Sequence, residues 1–459
     1  MDFKIIQSTP IFNALSSLGK EISLPDGIFY WAGRAKKEAE ILGTIGAAFG
    51  FEKDFIDGGS ENWVPCYLDG IKEYSSLNIS NIVPYASIGG VNELRDLWKT
   101  WIIEKSGYSK SSDKDKIDFL NKNISKPIIT NGVTNGIFLA ASLFLNPNES
   151  IICPNKRWGN YDLIIEKRIG AKIESFQFFE NNRINLEGLK DSIEKIGNFQ
   201  DKVVIILNFP NNPTGYVPKI DEADALISLF KKTQEKLRKP FIIIVDDAYE
   251  PYVYENNMLT HSIFYKLQQL KQDIIPVKLD GITKELLMYG GRIGFLTIGL
   301  KPSWVPNDEE LNKLKNELHN KLKGMNRSTI SNCNHFYQQL TIELFKDEGI
   351  EGIIEKRDKV KNLLERRYRI INEELKKIKD PDITIDPNSG GFFLFLNLNK
   401  DKIKATEFAD HLLRNYKIGV IPIQKPQEDI NGIRIAYCSI DIKDIPEFTK
   451  RIEQALKDF

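Results

Sequence analysis

Short apolar runs recur between residues 127 and 300, and stretches with helical periodicity separate them. The runs are PIIT, SIICP, KIESFQF, KVVIILNF, FIIIVDDAY, IPVKL and GFLTIGL. Between them, segments such as GIFLAASLFL and EADALISLFKKTQEKL place apolar residues at helical spacing. Strands that alternate with helices in this way are typical of crossover units and of a mostly parallel, buried sheet. The pattern therefore predicts an α/β domain with helices flanking the sheet.

After residue 300 the pattern changes to long charged helices, one of which carries apolar residues around 360–375 at helical spacing. Beyond it, GFFLFLNL, a helix from about Ala405 to Tyr416, IGVIPI, GIRIAYCSI and a final helix indicate a smaller α+β unit. We therefore predict a large domain over residues 51–335. Residues 1–50 would form an N-terminal arm that joins the small domain over residues 336–459.

The composition narrows the classes of function. The 459 residues can bury a substantial core, and 63 Lys plus Arg balance 63 Asp plus Glu, so no global field attracts nucleic acid or an acidic membrane. A small-molecule substrate is therefore the better expectation. The 4 cysteines form no CxxC pair, which favours a reducing cytoplasm. Residues 1–20 lack a signal-peptide pattern, and no segment approaches 18 uninterrupted apolar residues, so we expect a soluble, unexported protein.

Residues whose side chains could bind a ligand or take part in catalysis follow three of the predicted strands. Lys284 comes just beyond the strand VKLDG and eight residues before Arg292, NFPNNPTGYVP follows KVVIIL, and DDAYEPY follows FIIIV. In open parallel sheets, ligands bind at the carboxyl ends of the strands, where residues that are distant in sequence converge. A base, a carboxylate, a phenol, an amide and a guanidinium in one crevice are the groups needed to hold an anionic aromatic cofactor and to transfer protons around it.

These motifs give the chain a strong resemblance to a known family. The run from Asn212 to Gly215 (NPTG), the run from Asp246 to Tyr249 (DDAY), and Lys284 followed by Arg292 match class I/II aminotransferases of fold type I, in the family's order. The resemblance covers nearly the whole chain. It implies an aspartate-aminotransferase fold, pyridoxal 5′-phosphate (PLP) as cofactor and no metal. The implied reaction moves an amino group between an L-amino acid and a 2-oxo acid by a ping-pong mechanism.

The resemblance also implies a role for each matching residue. Lys284 would hold PLP as a Schiff base and move a proton to and from the substrate Cα. Asp246 would pair with the pyridine nitrogen and keep it protonated. Asn212 and Tyr249 would hydrogen-bond the 3-oxygen of the ring, and Arg292 would bind the phosphate through its planar donor fork.

Further cofactor contacts follow from weaker matches. In IITNGVTNGIF, Val133 and Thr134 would offer backbone N–H groups to the phosphate at the start of a helix. Trp158 resembles the aromatic residue that stacks on the pyridine ring, although a core aromatic is the alternative. The chain departs from the family at Gly281, three residues before the lysine, where a hydroxyl for the phosphate is common. Either Thr283 or the Gly-rich turn itself would replace it.

Other matches concern the substrate and the assembly. Gly46 of ILGTIG would let the backbone approach the substrate carboxylate, and Arg434 of GIRIAYCSI would clamp the α-carboxylate. Trp158 and Asn212 would also face the substrate. Tyr85 of YASIGGVNELRDLW resembles the tyrosine that reaches the phosphate of the neighbouring subunit's cofactor, which implies a homodimer with shared active sites.

Arg327 is the candidate for substrate choice. MNRSTISNCN resembles the R-x-x-x-S-N run of aspartate aminotransferases, whose arginine crosses from the neighbouring subunit to hold the distal carboxylate of dicarboxylic substrates. Three departures loosen the match: no aromatic residue precedes the serine, no Pro-Pro pair follows the asparagine, and a charged insertion lies around residues 307–322. The alternative is an arginine at a helix start that faces solvent. The functional interpretation predicts a preference for aspartate or glutamate.

Other functions stay open at this stage. The same scaffold supports β-elimination lyases, such as C–S lyases, because they also labilise the Cα–H bond. It also occurs as a PLP-binding regulatory module fused to DNA-binding domains. Only 40 residues precede ILGTIG, which leaves little room for such a domain and disfavours the regulatory interpretation.

Overall fold

The computed structural model describes residues 27–71 and 77–459, together with Leu15, Leu18 and Lys20. Within these residues the strands are β1 Ile41–Leu42, β2 Phe49–Phe51, β3 Trp63–Pro65, β4 Ile128–Thr130, β5 Ser150–Pro154, β6 Lys172–Phe176, β7 Phe179–Glu180, β8 Arg183–Ile184, β9 Val203–Asn208, β10 Phe241–Asp246, β11 Ile274–Gly281, β12 Gly294–Ile298, β13 Ile383–Ile385, β14 Leu394–Leu398, β15 Ile418–Gly419, β16 Ile421–Lys425 and β17 Ile430–Ile435.

The α-helices of the described residues alternate with these strands. They are α1 Ile28–Glu38, α2 Ile79–Ile82, α3 Asn92–Glu104, α4 Lys114–Asn123, α5 Gly132–Phe144, α6 Asn160–Asp162, α7 Leu186–Phe199, α8 Ile220–Leu237, α9 Ile263–Gln268, α10 Ile282–Glu285, α11 Asp308–Thr329, α12 His335–Lys377, α13 Ala405–Tyr416 and α14 Ile445–Asp458. A π-helical segment, Leu163–Ile169, continues α6. The backbone of α12 departs from helical geometry at Gly349.

The large sheet has seven strands in the order β4-β12-β11-β10-β9-β5-β6. Its strands are parallel except β12, which runs antiparallel to β11 and to β4. Every residue of β9 and β10 is buried, because helices cover both faces of the sheet. Val203, Ile205 and Leu207 pack into one core, whereas Val204 and Ile206 pack into the other. All the predicted apolar runs form this sheet, which confirms the α/β fold with a mostly parallel sheet.

The second sheet has four antiparallel strands in the order β13-β14-β17-β16, all from residues beyond 380. Strand β1 pairs in parallel with β15, so residues 41–42 join this C-terminal part of the chain. In the sequence, all strands of the large sheet precede residue 335, where α12 begins, and all strands of the second sheet follow it. The division into residues 51–335 and residues 1–50 with 336–459 stays a prediction.

No helix within the described ranges combines the length and the apolar character that crossing a membrane requires. All four cysteines are buried and form no disulfide. Burial raises the pKa of each thiol to about 12. The thiols therefore stay protonated at neutral pH, which disfavours a catalytic thiolate.

Candidate active site

A cavity of about 270 Å³ opens at the carboxyl ends of β9, β10 and β11. It contains every predicted site residue except Tyr85 and Arg327. The lining residues are Gly46, Val133, Thr134, Trp158, Asn208, Asn212, Asp246, Ala248, Tyr249, Gly281, Thr283, Lys284, Arg292, Phe393 and Arg434. The carboxyl ends of the parallel strands bring Asn212, Asp246 and Lys284 together, as the strand-end argument predicts. Gly46, from the segment between β1 and β2, and Arg434, from β17, join them from outside this sheet.

Lys284 lies in the short helix α10, which follows β11 directly. Its ammonium group donates a hydrogen bond to the carbonyl oxygen of Gly46 and lies 4.9 Å from the centre of the Tyr289 ring. Within the described chain no carboxylate forms an ion pair with it. Burial, with smaller contributions from Arg292 and Arg434, lowers the pKa of Lys284 to about 8. A useful fraction of the amine is therefore neutral, and hence nucleophilic, near neutral pH.

The turn before the lysine explains the departure at Gly281. A Cβ atom at this position would lie 2.6 Å from the carbonyl oxygen of Ile293 and 2.9 Å from the Cα of Gly294. The antiparallel partner β12 thus leaves no space for the side chain that the family commonly has there. The hydroxyl of Thr283, two positions later, is buried in the cavity wall and has no hydrogen-bond partner among the described residues.

Asp246 is the last residue of β10 and is only 4% exposed. The hydroxyl of Tyr161 donates to Oδ2 at 2.5 Å, and the N–H of Ala248 donates to Oδ1 at 3.2 Å. Burial raises the pKa of Asp246 to about 6 even though both hydrogen bonds oppose that shift. No cation pairs with this carboxylate within the described part of the protein, so a positively charged ring nitrogen would complete its environment.

Sequence reasoning missed Tyr161. It follows Trp158 by three residues, a spacing that places both rings on the same side of a helical turn. The two rings meet edge to face with centroids 5.7 Å apart. The three-residue spacing from Trp158 is the feature of the sequence that could have identified Tyr161 as a neighbour of the site.

A candidate phosphate cradle lies at the start of α5. Its first residue, Gly132, has a φ of +74°, and a Cβ atom there would lie 2.5 Å from Nη2 of Arg292. The guanidinium therefore lies directly over the glycine at the helix start, where the first backbone N–H groups have no partner within the helix. Val133, Thr134 and Thr283 line the same cavity, and the hydroxyl of Thr283 has no hydrogen-bond partner among the described residues. This combination of unused donors and positive charge fits a phosphate group.

Arg434 forms a second anion site. It lies in β17, is 3% exposed, and donates to the side-chain oxygen of Asn212 at 3.2 Å and to the carbonyl oxygen of Thr44 at 3.0 Å. Its guanidinium lies 4.3 Å from the centre of the Phe393 ring. Its Nε has no partner among the described residues. Burial lowers the pKa of Arg434 to about 10, so it stays charged at neutral pH and can bind a carboxylate.

Two close contacts shape the remaining wall. A Cβ atom on Gly46 would lie 2.9 Å from the ring of Phe393, so this glycine allows the backbone to pass close to the ring. The Tyr249 ring packs edge to face on Phe392 and Phe393, with centroids 5.2 and 5.7 Å away. Burial raises the pKa of Tyr249, so its phenol stays protonated and can donate a hydrogen bond into the cavity.

Tyr85 and Arg327 lie outside this cavity. Tyr85 is 92% exposed and follows the exposed apolar residues Ile79 and Val83. Arg327 is exposed and its guanidinium donates to the hydroxyl of Ser331. The expectation that Arg327 begins a helix is wrong, because the charged insertion is itself helical and α11 continues through Arg327 in its last turn. Both residues are therefore available to a neighbouring subunit.

The arrangement agrees with comparison to known proteins. The family described as "Aminotransferase class I and II" matches residues 105–452. The chain belongs to this family. An aspartate aminotransferase of Pyrococcus abyssi is 24% identical over 391 residues, which are 84% of this chain and 88% of that protein. An aromatic-amino-acid aminotransferase of Thermococcus litoralis is 25% identical over 398 residues, which are again 84% and 88% of the two chains.

Solved structures show the same fold. An aminotransferase from Anaerococcus prevotii superposes with a TM-score of 0.78 at 23% identity, covering 96% of this chain and 98% of that one. A kynurenine aminotransferase of Pyrococcus horikoshii in complex with PMP gives a TM-score of 0.75 at 17% identity, covering 98% and 99%. The protein is a PLP-dependent aminotransferase, which confirms the predicted family, fold, cofactor and enzyme class.

Proposed function

We propose that Lys284 and Asp246 are the central residues of this aminotransferase, acting on an L-amino acid and then on a 2-oxo acid in the same cavity. The observation that carries this assignment is a buried lysine and a buried carboxylate that both open into one cavity and that have no ion-pair partner among the described residues. Bound PLP supplies an electron sink for the charge that develops at the substrate Cα. The chain supplies the proton transfers and the geometry.

Lys284 acts in two ways in this proposal. With PLP bound, the neutral amine of Lys284 would be the group that holds the cofactor, and once the substrate amine has displaced it, it would remove and return the proton at the substrate Cα. A pKa of about 8 suits both tasks near neutral pH. Asp246 holds a proton at the ring nitrogen, and Tyr161 fixes the orientation of its carboxylate through the 2.5 Å hydrogen bond.

The other residues of the cavity hold the two reactants. The start of α5, Arg292 and Thr283 bind the phosphate, and Trp158 stacks on the ring. Asn212 and Tyr249 hydrogen-bond the 3-oxygen. Asn212 also contacts Arg434, so the groups that hold the ring oxygen and the substrate carboxylate are coupled. This coupling favours alignment of the Cα–H bond before proton removal.

Arg434 binds the α-carboxylate of the substrate. Its Nε is unsatisfied within the described residues, and its other donors are held in place by Asn212 and Thr44. A carboxylate would satisfy the free donor in a charge-assisted hydrogen bond. The backbone at Gly46 lies near this position, because the Phe393 ring lies close to both Gly46 and the guanidinium of Arg434.

We infer that the enzyme works as a homodimer in which the phosphate of each cofactor also contacts Tyr85 of the partner subunit. The support is the exposed tyrosine beside exposed Ile79 and Val83, a combination that a second copy would cover. We also propose that the enzyme acts in the cytoplasm. The four cysteines are buried and form no disulfide, which agrees with a reducing compartment.

Tyr85→Phe should weaken cofactor retention, because it removes one hydrogen bond to a charged phosphate. Such bonds contribute about 1.5–3 kcal/mol, so the dissociation constant of PLP should rise roughly 10- to 100-fold. Equilibrium dialysis measures it. Tyr30→Phe is the matched control, because Tyr30 is also exposed. Unchanged PLP affinity in Tyr85→Phe, or an active monomer in light scattering, would contradict the proposal.

We further propose that Arg327 reaches across the dimer and selects dicarboxylic substrates such as aspartate or glutamate, with 2-oxoglutarate as acceptor. Its exposure on its own subunit supports this role. The relative from Pyrococcus abyssi is named an aspartate aminotransferase, whereas the one from Thermococcus litoralis is named for aromatic amino acids. The substrate preference of this chain must therefore be tested with a variant of Arg327.

Arg327→Ala should lower the ratio of kcat/KM for aspartate to kcat/KM for phenylalanine. Loss of one partner from a buried charge pair costs about 2–5 kcal/mol, which is roughly 30-fold at the lower limit. Steady-state kinetics with both donors measures the ratio. Arg366→Ala removes another exposed arginine and should leave the ratio unchanged. An equal ratio in wild type and Arg327→Ala would show that Arg327 does not contact the substrate side chain.

A further inference from the structure

Buried charged side chains lie directly behind the wall that carries Lys284 and Asp246. None of these side chains is more than 7% exposed. We call this group the ionic cluster, and its members are Lys105, Asp247, Glu250, Lys278, Asp280 and Glu285. Lys105 follows the end of α3, and the others come from the end of β10, from β11 and from α10.

Lys278 joins the ends of two adjacent strands. Lys278 lies in β11, and its ammonium group donates to Asp247 and, at 2.8 Å, to Glu250, both of which follow β10. It also lies 3.7 Å from the carboxylate of Asp280. The hydroxyl of Ser262 donates at 2.6 Å to Oδ2 of Asp247, the same oxygen that accepts from Lys278.

Lys105 joins the same segments from the direction of α3. Its ammonium lies 2.9 Å from Glu250, 3.2 Å from Asp280 and 2.6 Å from Glu285. These three carboxylates lie close enough together to hold a metal ion, but the lysine occupies the space among them. The indole N–H of Trp101 also donates to Glu285 at 2.6 Å. The chain thus supplies its own cation at this point.

The cluster is connected to the active site through the backbone. Asp247 follows Asp246, and Glu285 follows Lys284. The N–H of Asp247 donates to the carbonyl oxygen of Leu279 at 2.8 Å, which continues the pairing of β10 with β11. Because successive strand side chains point to opposite sides, Asp246 enters the cavity while Asp247 enters the cluster.

The composition of the cluster argues against a role in stability alone. Carboxylates outnumber lysines, and Oδ1 of Asp247 and Oε2 of Glu285 are buried without a hydrogen-bond partner among the described residues. Replacement of a buried ion pair by apolar side chains is often neutral or stabilising, so such a cluster is a poor way to stabilise a fold. Its short, directional contacts are better suited to fixing the spacing of the two strand ends.

We propose that the ionic cluster sets the position of Asp246 relative to Lys284, with Lys278 and Lys105 as positioning residues. The proposal rests on the roles assigned above to Asp246 and Lys284. Lys278 does not line the cavity, so it acts through the segments it joins. Displacement of catalytic groups by about 1 Å can cost roughly 100-fold in rate, so a small relaxation of these segments should be measurable.

The test is Lys278→Met in the PLP-loaded enzyme, with Lys301→Met as the matched control. Lys301 is also buried but bonds only to the carbonyl oxygens of Leu267 and Gln268, beyond the opposite end of β12. The measurements are kcat/KM and the visible circular dichroism of bound PLP, which reports the orientation of its ring. We expect Lys278→Met to lose at least tenfold in kcat/KM and to change the dichroism, whereas Lys301→Met stays within twofold of wild type.

Equal activity and equal dichroism in the two variants would overturn the proposal. If Lys278→Met does not fold, Asp247→Asn decides by the same measurements, because it removes the charge that pairs with Lys278 while preserving the size of the side chain. Failure of the assigned catalytic roles has a different signature. In that case Lys284→Ala would still attach PLP and turn over substrate, whatever the result with Lys278→Met.

Discussion

Lys284→Ala should abolish the covalent attachment of PLP and lower kcat/KM by roughly four to six orders of magnitude, the range seen when a nucleophile is removed. The reason is that, among the described lysines, Lys284 lines the cavity and forms no ion pair with a described carboxylate. Borohydride reduction of the loaded wild-type enzyme, followed by peptide mapping, should place the label on Lys284. Lys278 and Lys301, two other buried lysines, are the internal controls. A label on either of them would refute the assignment.

The same lysine predicts a pH dependence for cofactor attachment. The neutral amine is the attacking form, and burial lowers the pKa of Lys284 from 10.5 to about 8. The attachment rate of PLP to the cofactor-free enzyme should therefore rise with pH and be half-maximal near pH 8. A rate that is still rising steeply above pH 9 would mean that the lysine titrates like an exposed one.

Asp246→Asn should reduce kcat by roughly 10⁴-fold, comparable to the loss when a buried carboxylate is removed from behind a catalytic group. The amide keeps the size of the side chain and can still accept a hydrogen bond from Tyr161, but it cannot hold a proton on the ring nitrogen. The electron sink then fails while the phosphate contacts remain. PLP affinity measured by dialysis should therefore fall far less than kcat.

A matched comparison separates charge from packing in this experiment. Asp386 is also a buried carboxylate, but it pairs with Lys156 at 2.6 Å and does not line the cavity. Asp386→Asn should therefore lose far less activity than Asp246→Asn. Near-normal turnover in Asp246→Asn, or an equal loss in both variants, would refute the role of Asp246.

The sequence was informative where chemistry follows the ends of buried strands. The runs KVVIIL, FIIIV and IPVKL are too apolar to be surface strands, and they form β9, β10 and β11 side by side. In a parallel sheet their carboxyl ends meet at one edge, so Asn212, Asp246 and Lys284 could be placed in one cavity before the fold was known. The helix start at Val133 could be placed there by the same logic.

Contacts between side chains from different segments could not be predicted. Lys278 and Asp280 lie in a strand that is buried on both faces, and charged residues in such a strand are a sign that ion pairs are buried there. Their partner Lys105 comes from α3, far away in sequence, and periodicity gives no information on that pairing. The bond from Tyr161 to Asp246 likewise depends on how α6 meets the end of β10.

Local sequence was also a poor guide around residue 307. The charged insertion lacks the clear apolar periodicity of the other helices, so it did not predict that α11 runs unbroken from Asp308 to Thr329. Its opposite charges at helical spacing, such as the pair formed by Lys313 and Glu309, support a solvent-exposed helix. That continuous helix places Arg327 in a last turn rather than a first one.

The central claim is that this cavity transfers an amino group to and from its cofactor. The most direct test is a single half-reaction, in which the PLP-loaded enzyme is mixed with one amino acid and no 2-oxo acid, and its visible absorbance is recorded. We predict that the aldehyde form of the cofactor converts stoichiometrically to the amine form, and that a 2-oxo acid alone then restores it. Release of ammonia with the cofactor still in its aldehyde form would indicate elimination and would contradict the account.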